Sequence, residues 1–266
     1  MKKYYEKHVK KVIKILKQEL IHEQLLSIEL LKQLAFTTPR DQTFDLLAKN
    51  IGLSGKSILS RYLSGKILPK IENIRLIKKY CIEHNVIEQL VAKNIIIHRI
   101  EGEIIVDGTK LLSNTNILKL IAYLAKQQIE HRIDKIVTPE VDGLPIGYAF
   151  AFEYNVPCLY LRKERPIAVQ DFISEPLITT KSRQEILYAP KKGFVEGEKI
   201  LVVDDIIRSG KTQKAIINLI NKAKCEVVGI ISLISIGSQY KPLFRELPEV
   251  NVIYEIPENF MQNTKD

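Results

Sequence analysis

The chain has 266 residues, an apolar fraction of 45%, no tryptophan and a net charge of +9. That length supports two modest domains with real cores and excludes a disordered or fibrous chain. Cys81, Cys158 and Cys225 lie far apart without CxxC spacing, so neither a disulfide framework nor a zinc cluster is expected, only reduced thiols in a cytoplasmic protein. No apolar run approaches a membrane span, and lysine and tyrosine stand where a signal peptide has its apolar core, so no membrane partner is expected. Residues 1–90 carry 17 Lys+Arg against 9 Asp+Glu, whereas the remainder carries 23 against 22. A basic first third joined to a neutral remainder predicts one domain that meets a polyanion and another with a different task. A soluble helical domain with a wet basic face would give the same count, and the count leaves both readings open.

Residues 3–36 predict one helix or two. Val9, Val12, Ile13, Leu16 and Leu20 fall at helical spacing, as do Leu25, Ile28, Leu31 and Leu34. Lys3, Lys7, Lys10, Lys11, Lys14 and Lys17 flank the first stripe. Thr37 to Asp41, with Pro39, reads as a turn. Phe44 to Ile51 reads as a helix, Gly52 as a left-handed turn residue, Ser54 as an N-cap, and Lys56 to Leu63 as a second short helix ended by Ser64-Gly65. This stretch resembles the helix-turn-helix of the phage-repressor and Cro type, including Ser60-Arg61-Tyr62-Leu63-Ser64-Gly65-Lys66 and the following Leu68-Pro69. It departs by one extra residue between Ser54 and Leu59. The resemblance implies that the second helix enters the major groove of double-stranded DNA, with Lys56, Ser57, Ser60, Arg61 and Lys66 facing bases and phosphates. The competing reading is a helical hairpin for packing or protein docking. Ile71 to His84 reads as a supporting helix, Asn85-Val86-Ile87 begins a transition, and a domain boundary near residue 90 gives domains 1–90 and 91–266.

The second domain alternates strands and helices. Strands are predicted at Ile95-Ile97, Glu103-Val106, Lys135-Val137, Pro157-Leu161, Ile186-Tyr188, Ile200-Val203, Val227-Leu233 and Val252-Tyr254. Helices fit Thr115–Gln128, Leu144–Tyr154 and Thr212–Ala223. That alternation predicts an α/β fold with a mostly parallel sheet. Thr138 to Gly147 follows a strand and opens a helix, which makes it a loop at the ligand side of the sheet. Arg162-Lys163-Glu164 ends the next strand, and residues 166–184, with Lys181 and Arg183, read as a long mobile loop.

The most informative stretch is Lys199 to Thr212. Its apolar run reads as a strand buried on both faces, ending in Asp204-Asp205. Arg208-Ser209-Gly210-Lys211-Thr212 then opens a helix whose free N–H groups suit a phosphate. Two carboxylates beside such a loop can accept hydrogen bonds from a ribose diol. A Walker A loop is excluded, because Asp205 stands where that motif needs its first glycine. Val202-Val203-Asp204-Asp205 through Gly210-Lys211-Thr212 resembles the phosphoribosyl pyrophosphate (PRPP) signature of type I phosphoribosyltransferases. The resemblance implies that Asp204 and Asp205 hold the ribose hydroxyls and that Arg208, Ser209, Gly210, Lys211 and Thr212 surround the 5′-phosphate. It further implies that Glu140, Val141, Asp142 and Gly143, with Arg162 and Lys163, serve the pyrophosphate. Mg²⁺ would arrive with PRPP, with no metal held by protein side chains alone.

Arg208 counts against one branch of the family, although a surface residue with no role would also fit. Hypoxanthine-guanine enzymes carry an acid at this position, near the base, and a guanidinium cannot take a proton. Gram-positive purine repressors carry a basic residue here. Taken whole, the chain resembles archaeal regulators in which an all-α helix-turn-helix domain precedes a type I phosphoribosyltransferase-like parallel-sheet domain. The expected function is a homodimeric DNA-binding regulator of nucleotide metabolism that senses PRPP or a competing nucleotide, with its turnover left open. The alternative is an active phosphoribosyltransferase with an accessory helical domain.

Overall fold

The structure is a computed structural model and describes residues 2–37, 43–165, 167, 170–180, 183–245 and 249–260. The expected turn around Pro39 and the residue Lys181 lie outside the described residues. The chain divides into two compact units, Met1–Val86 and Ile87–Asp266.

The first unit is all helix. The two apolar series of its first segment belong to one helix, α1 (Lys2–Thr37). Its second half buries Leu26, Ile28, Leu30, Leu31 and Leu34, and α1 packs on α3 (Lys56–Leu63) and α4 (Ile71–Glu83). Gln24 fastens it by donating to the Pro69 carbonyl at 2.9 Å. Helix α2 (Phe44–Ile51) is capped by the Thr43 hydroxyl, which accepts from the Leu46 amide, and ends on Gly52 at φ 86°. Ser54 does not cap α3, contrary to expectation. The cap position falls on Gly55, whose φ of 130° suits glycine, so the extra residue of this turn is absorbed there. Leu59 and Tyr62 turn α3 inward, and the Tyr62 hydroxyl accepts from Asn73 at 2.6 Å. Burial beside Ile74 and Ile77 on α4 pushes the Cys81 thiol up to about 12, which makes it an inert core group. The expected transition after Asn85 is instead helix α5 (Val86–Ala92), running across the unit boundary.

The second unit opens with a hairpin, β1 (Ile96–Ile100) and β2 (Glu103–Asp107), turned by Glu101 and Gly102 at positive φ. It pairs with neither edge of the main sheet. After α6 (Thr109–Leu112) and α7 (Thr115–Lys126), the main sheet is built from β3 (Lys135–Pro139), β4 (Cys158–Leu161), β7 (Lys199–Ile207), β8 (Glu226–Ile236) and β9 (Val250–Ile256). These five strands run parallel in the order β4-β3-β7-β8-β9. Ile200 to Val203 are buried on both faces, as the apolar run predicts. Ile200 and Val202 join a core with Ile216, Leu219 and Ile220 of α9 (Lys211–Lys222). Helix α8 (Gly143–Tyr154) packs on β3 and β7, backed by α7.

Residues 172–190 correct the sequence reading. Where a long loop is expected through residue 184, an antiparallel ribbon of β5 (Phe172–Thr180) and β6 (Arg183–Pro190) lies on α9. Leu177, Leu187 and Ala189 enter the α9 core, while Glu175 accepts from Asn218 at 2.9 Å and pairs with Lys222 at 2.6 Å. Pro176 and the charged residues hid this strand from the sequence pattern.

Helix α8 meets β3 through glycines. A Cβ on Gly147 would stand 2.7 Å from Thr138 Cγ2, and one on Gly143 2.6 Å from Thr138 Oγ1. Gly147→Ala therefore overpacks the contact that sets α8 against the sheet. The expected cost is about 1–3 kcal/mol, measured as a lower denaturant midpoint with an unchanged m-value.

Candidate ligand site

Two loops meet above the carboxyl edge of the sheet. From β3 the chain leaves through α8 toward β4; from β7 it leaves through α9 toward β8. The strands are neighbours, but their connections depart in opposite directions, which opens a crevice at their carboxyl ends. A cavity of about 430 Å³ lies there, within the second unit. Asp142 and Pro145 come to it from the β3 side, Asp205 and Ile206 from β7, and Leu233 and Ile234 from β8. The remaining wall is the segment from Val106 to Ser113, which follows the hairpin.

Strand β7 runs on through the acid pair to Ile207, further than its apolar run indicates. The two carboxylates consequently point to different places. Asp205 lines the cavity. Asp204 is buried at 3% exposure, accepts from the Gln213 amide at 2.6 Å through Oδ2, and accepts from the Asp205 backbone N–H at 2.9 Å through Oδ1. Burial pushes the Asp204 carboxyl well above the usual carboxylate range, and the neighbouring Asp205 charge adds to the rise. Burial also raises Asp205; its bond to Asp204 opposes that rise, and Asp142 reinforces it. The two adjacent carboxyls, one buried and one on the cavity, are thus both raised above the usual range. Gln213, in the first turn of α9, is the partner that sequence reasoning missed. Only its helical spacing from Gly210 could have signalled it.

The phosphate loop is short. Gly210 sits at φ 77° as the N-cap of α9, and a Cβ there would stand 2.7 Å from Phe244 Cε2 and 3.1 Å from Tyr240 Cβ. No side chain caps this helix and no acid stands in its first turn, so its leading N–H groups suit an anion. Ser209 and Thr212 are half-buried beside it, and Lys211 is exposed. The Arg208 side chain turns away to the hairpin, donating to the Ile104 carbonyl and lying 3.7 Å from Glu103 Oε2.

The predicted pyrophosphate residues form a second group. The Glu140 carboxylate accepts from the Lys163 backbone N–H at 2.7 Å and lies 3.9 Å from Arg162 Nε. Lys163 pairs with Glu185 at 3.1 Å. Arg162 exchanges backbone hydrogen bonds with Tyr188 of β6. Asp142 and Asp205 therefore share the cavity, whereas Glu140, Arg162 and Lys163 interlock beyond its lining. Val141 is exposed on the same loop and Gly143 is buried as the first residue of α8.

In the first unit, Ser57, Ser60, Arg61 and Lys66 are exposed, Arg61 from the outer side of α3. Lys56 is exposed as well and pairs with Asp45 at 3.1 Å.

Residues 107–257 match the family described as phosphoribosyl transferase domain. The chain belongs to this family. It is 29% identical over 106 residues to a xanthine phosphoribosyltransferase of Lactobacillus acidophilus, covering 39% of this chain and 55% of that one. The chain thus spans about half the length of that relative. It is 28% identical over 124 residues to the purine biosynthesis transcriptional repressor PurR of Bacillus subtilis, covering 46% of this chain and 44% of the repressor. A crystal structure of adenine phosphoribosyltransferase from Rhodothermus marinus superposes with a TM-score of 0.57 at 24% identity, covering 64% of this chain and 99% of that one, and shows the same fold. The parallel sheet after a helical region is thus the architecture read from the sequence. Among the described residues no helix is long and apolar enough to cross a membrane.

The raised Asp204 carboxyl has a measurable consequence. Unfolded aspartate titrates near 3.9, and the folded group is raised, so the folded state binds more protons than the unfolded state above that pH. Its contribution is fully present below the unfolded value and is lost as pH rises toward the folded one. Asp204→Asn removes this term, and Gln213 can turn its amide to accept from the new donor. As pH rises above the unfolded value, the wild type should lose stability relative to Asp204→Asn, by at most about 1.4 kcal/mol per pH unit in denaturant titrations. Parallel pH profiles would exclude the raised Asp204 carboxyl.

Proposed function

We propose that this protein is a ligand-responsive transcriptional regulator of nucleotide metabolism. Its second unit binds PRPP or a competing nucleotide, and its first unit binds double-stranded DNA. The carrying observation is the cavity between the β3 and β7 loops, lined by Asp142 and Asp205, in a chain whose basic first unit exposes Ser57, Ser60, Arg61 and Lys66. The similarity to the purine biosynthesis repressor supports this pairing of tasks.

In this reading the ribose diol reaches Asp205, with Asp204 behind it. The backbone from Arg208 to Thr212, with Ser209 and Thr212, holds the 5′-phosphate at the start of α9. The pyrophosphate lies toward Asp142, Gly143 and the loop tied down by Glu140, with Arg162 and Lys163 as nearby cations. Mg²⁺ enters with PRPP. In this reading the ion would be held chiefly by the ligand's oxygens and would offset the repulsion between the polyphosphate and Asp142 and Asp205. Helix α3 and its turn act as a helix-turn-helix, and two copies of the chain present two such helices at a fixed half-site spacing. Ligand acts only through unequal affinity for the arrangements that do and do not fit DNA.

A gel-shift series on the protein's own upstream region, with and without PRPP, tests this. Binding should weaken linearly on a log–log plot of affinity against salt, and PRPP should shift it. Arg61→Ala should weaken specific binding about 10- to 100-fold while leaving PRPP affinity intact. Tight binding to no genomic fragment would sink the DNA reading. The similarity to a xanthine phosphoribosyltransferase favours a second reading, an active enzyme joining a nucleobase to PRPP. Release of pyrophosphate from PRPP with any nucleobase at enzyme-like rates would decide for it.

A further inference from the structure

The hairpin β1–β2 has no hydrogen-bonded place in the main sheet. A two-stranded ribbon alone is marginal in water and needs outside anchors. Ile104 supplies one by burying its side chain, and Arg99 another by donating to the Phe260 carbonyl at 3.1 Å. The third is Arg208, whose guanidinium donates to the Ile104 carbonyl with Glu103 3.7 Å away. The Arg208 and Arg99 bonds join elements 104 and 161 residues apart in the chain, all within the second unit.

What the anchor restrains is a wall of the cavity. Val106, Asp107, Gly108 and Thr109 follow Ile104 directly and face Asp142 and Asp205 across the cavity. Asp107 Oδ1 accepts from the Thr109 N–H at 2.9 Å, so the turn after β2 is closed by a local bond. Its apolar members, Val106, Leu111 and Leu112, suit a flat heterocycle rather than a phosphate. Upstream, β1 follows closely on α5, the helix that crosses the boundary of the first unit.

We infer that Arg208 is a positioning residue: its side chain latches the hairpin to the phosphate loop, and so sets the wall against which the base of a bound nucleotide packs. The backbone of Arg208 stays with the phosphate loop while the guanidinium serves the opposite side of the cavity. This inference rests on the ligand reading above and adds a division of labour to it. A charge-assisted bond to a carbonyl is directional, and lysine cannot reproduce the planar fork that spans Ile104 and Glu103.

The test uses the full chain, with ribose 5-phosphate, AMP and GMP as probes in calorimetric titrations and hydrogen exchange of residues 96–107 as a second readout. In Arg208→Ala, affinity for whichever monophosphate binds the wild type should fall at least tenfold, while affinity for ribose 5-phosphate falls less than threefold. Hairpin amides should exchange at least tenfold faster, with the global unfolding midpoint held. Arg208→Lys keeps a positive charge without the planar fork and should still loosen the hairpin, with ribose 5-phosphate affinity changed less than threefold. Equal losses for ribose 5-phosphate and the nucleotide would overturn the inference, because they would put the guanidinium on the phosphate. Unchanged hairpin exchange would overturn it as well. If no probe, PRPP included, binds the wild type, the ligand reading fails on its own, and hydrogen exchange still decides whether Arg208 holds the hairpin.

Discussion

The parallel pairing of β3 with β7 is the constraint on which the second unit depends. Lys135, Ile136 and Val137 stand opposite Ile200, Leu201 and Val202, and this register brings the acid loop and the phosphate loop to the same edge. Because α8 leaves to one side and α9 to the other, a crevice opens between their loops at this edge. The glycines of α8 belong to the same constraint. They let the helix approach Thr138 closely enough for Asp142, just before the helix, to face Asp205. A side chain at Gly147 would act on the cavity through the tilt of α8 without touching it.

Much of this was legible in the chain. A strand buried on both faces must be a continuous apolar run, and Ile200 to Val203 is one. A loop that opens a helix at a sheet's carboxyl edge needs small residues, and Gly210 marks it. Its strict requirement, however, comes from Phe244 and Tyr240, which no local pattern names. In the first unit, the glycine turn after α2 followed from Gly52, while the cap of α3 moved from Ser54 to Gly55 because a glycine at φ 130° outweighs a hydroxyl one position earlier.

Other features depend on contacts between distant segments and leave no periodic trace. The β5–β6 ribbon is stabilised by burial on α9, and Pro176 at its centre reads locally as a break. The separation of Asp204 from Asp205 follows from strand alternation once β7 extends to Ile207, but adjacent acids at a strand end read as one pair facing a ribose diol. The direction of the Arg208 side chain is set by a carbonyl far away in the sequence.

The hydrogen bonding of Asp204 bears on how the cavity meets its ligand. A site whose adjacent carboxyls are both raised by burial takes up a proton more readily than its sequence count of charges implies. A polyphosphate therefore approaches a milder electrostatic field than the residue list implies. A ligand whose hydroxyls or metal ion prefer two free carboxylates must expel that proton to bind. Each such association then becomes a small acid–base reaction, with an apparent heat that depends on the ionisation enthalpy of the buffer.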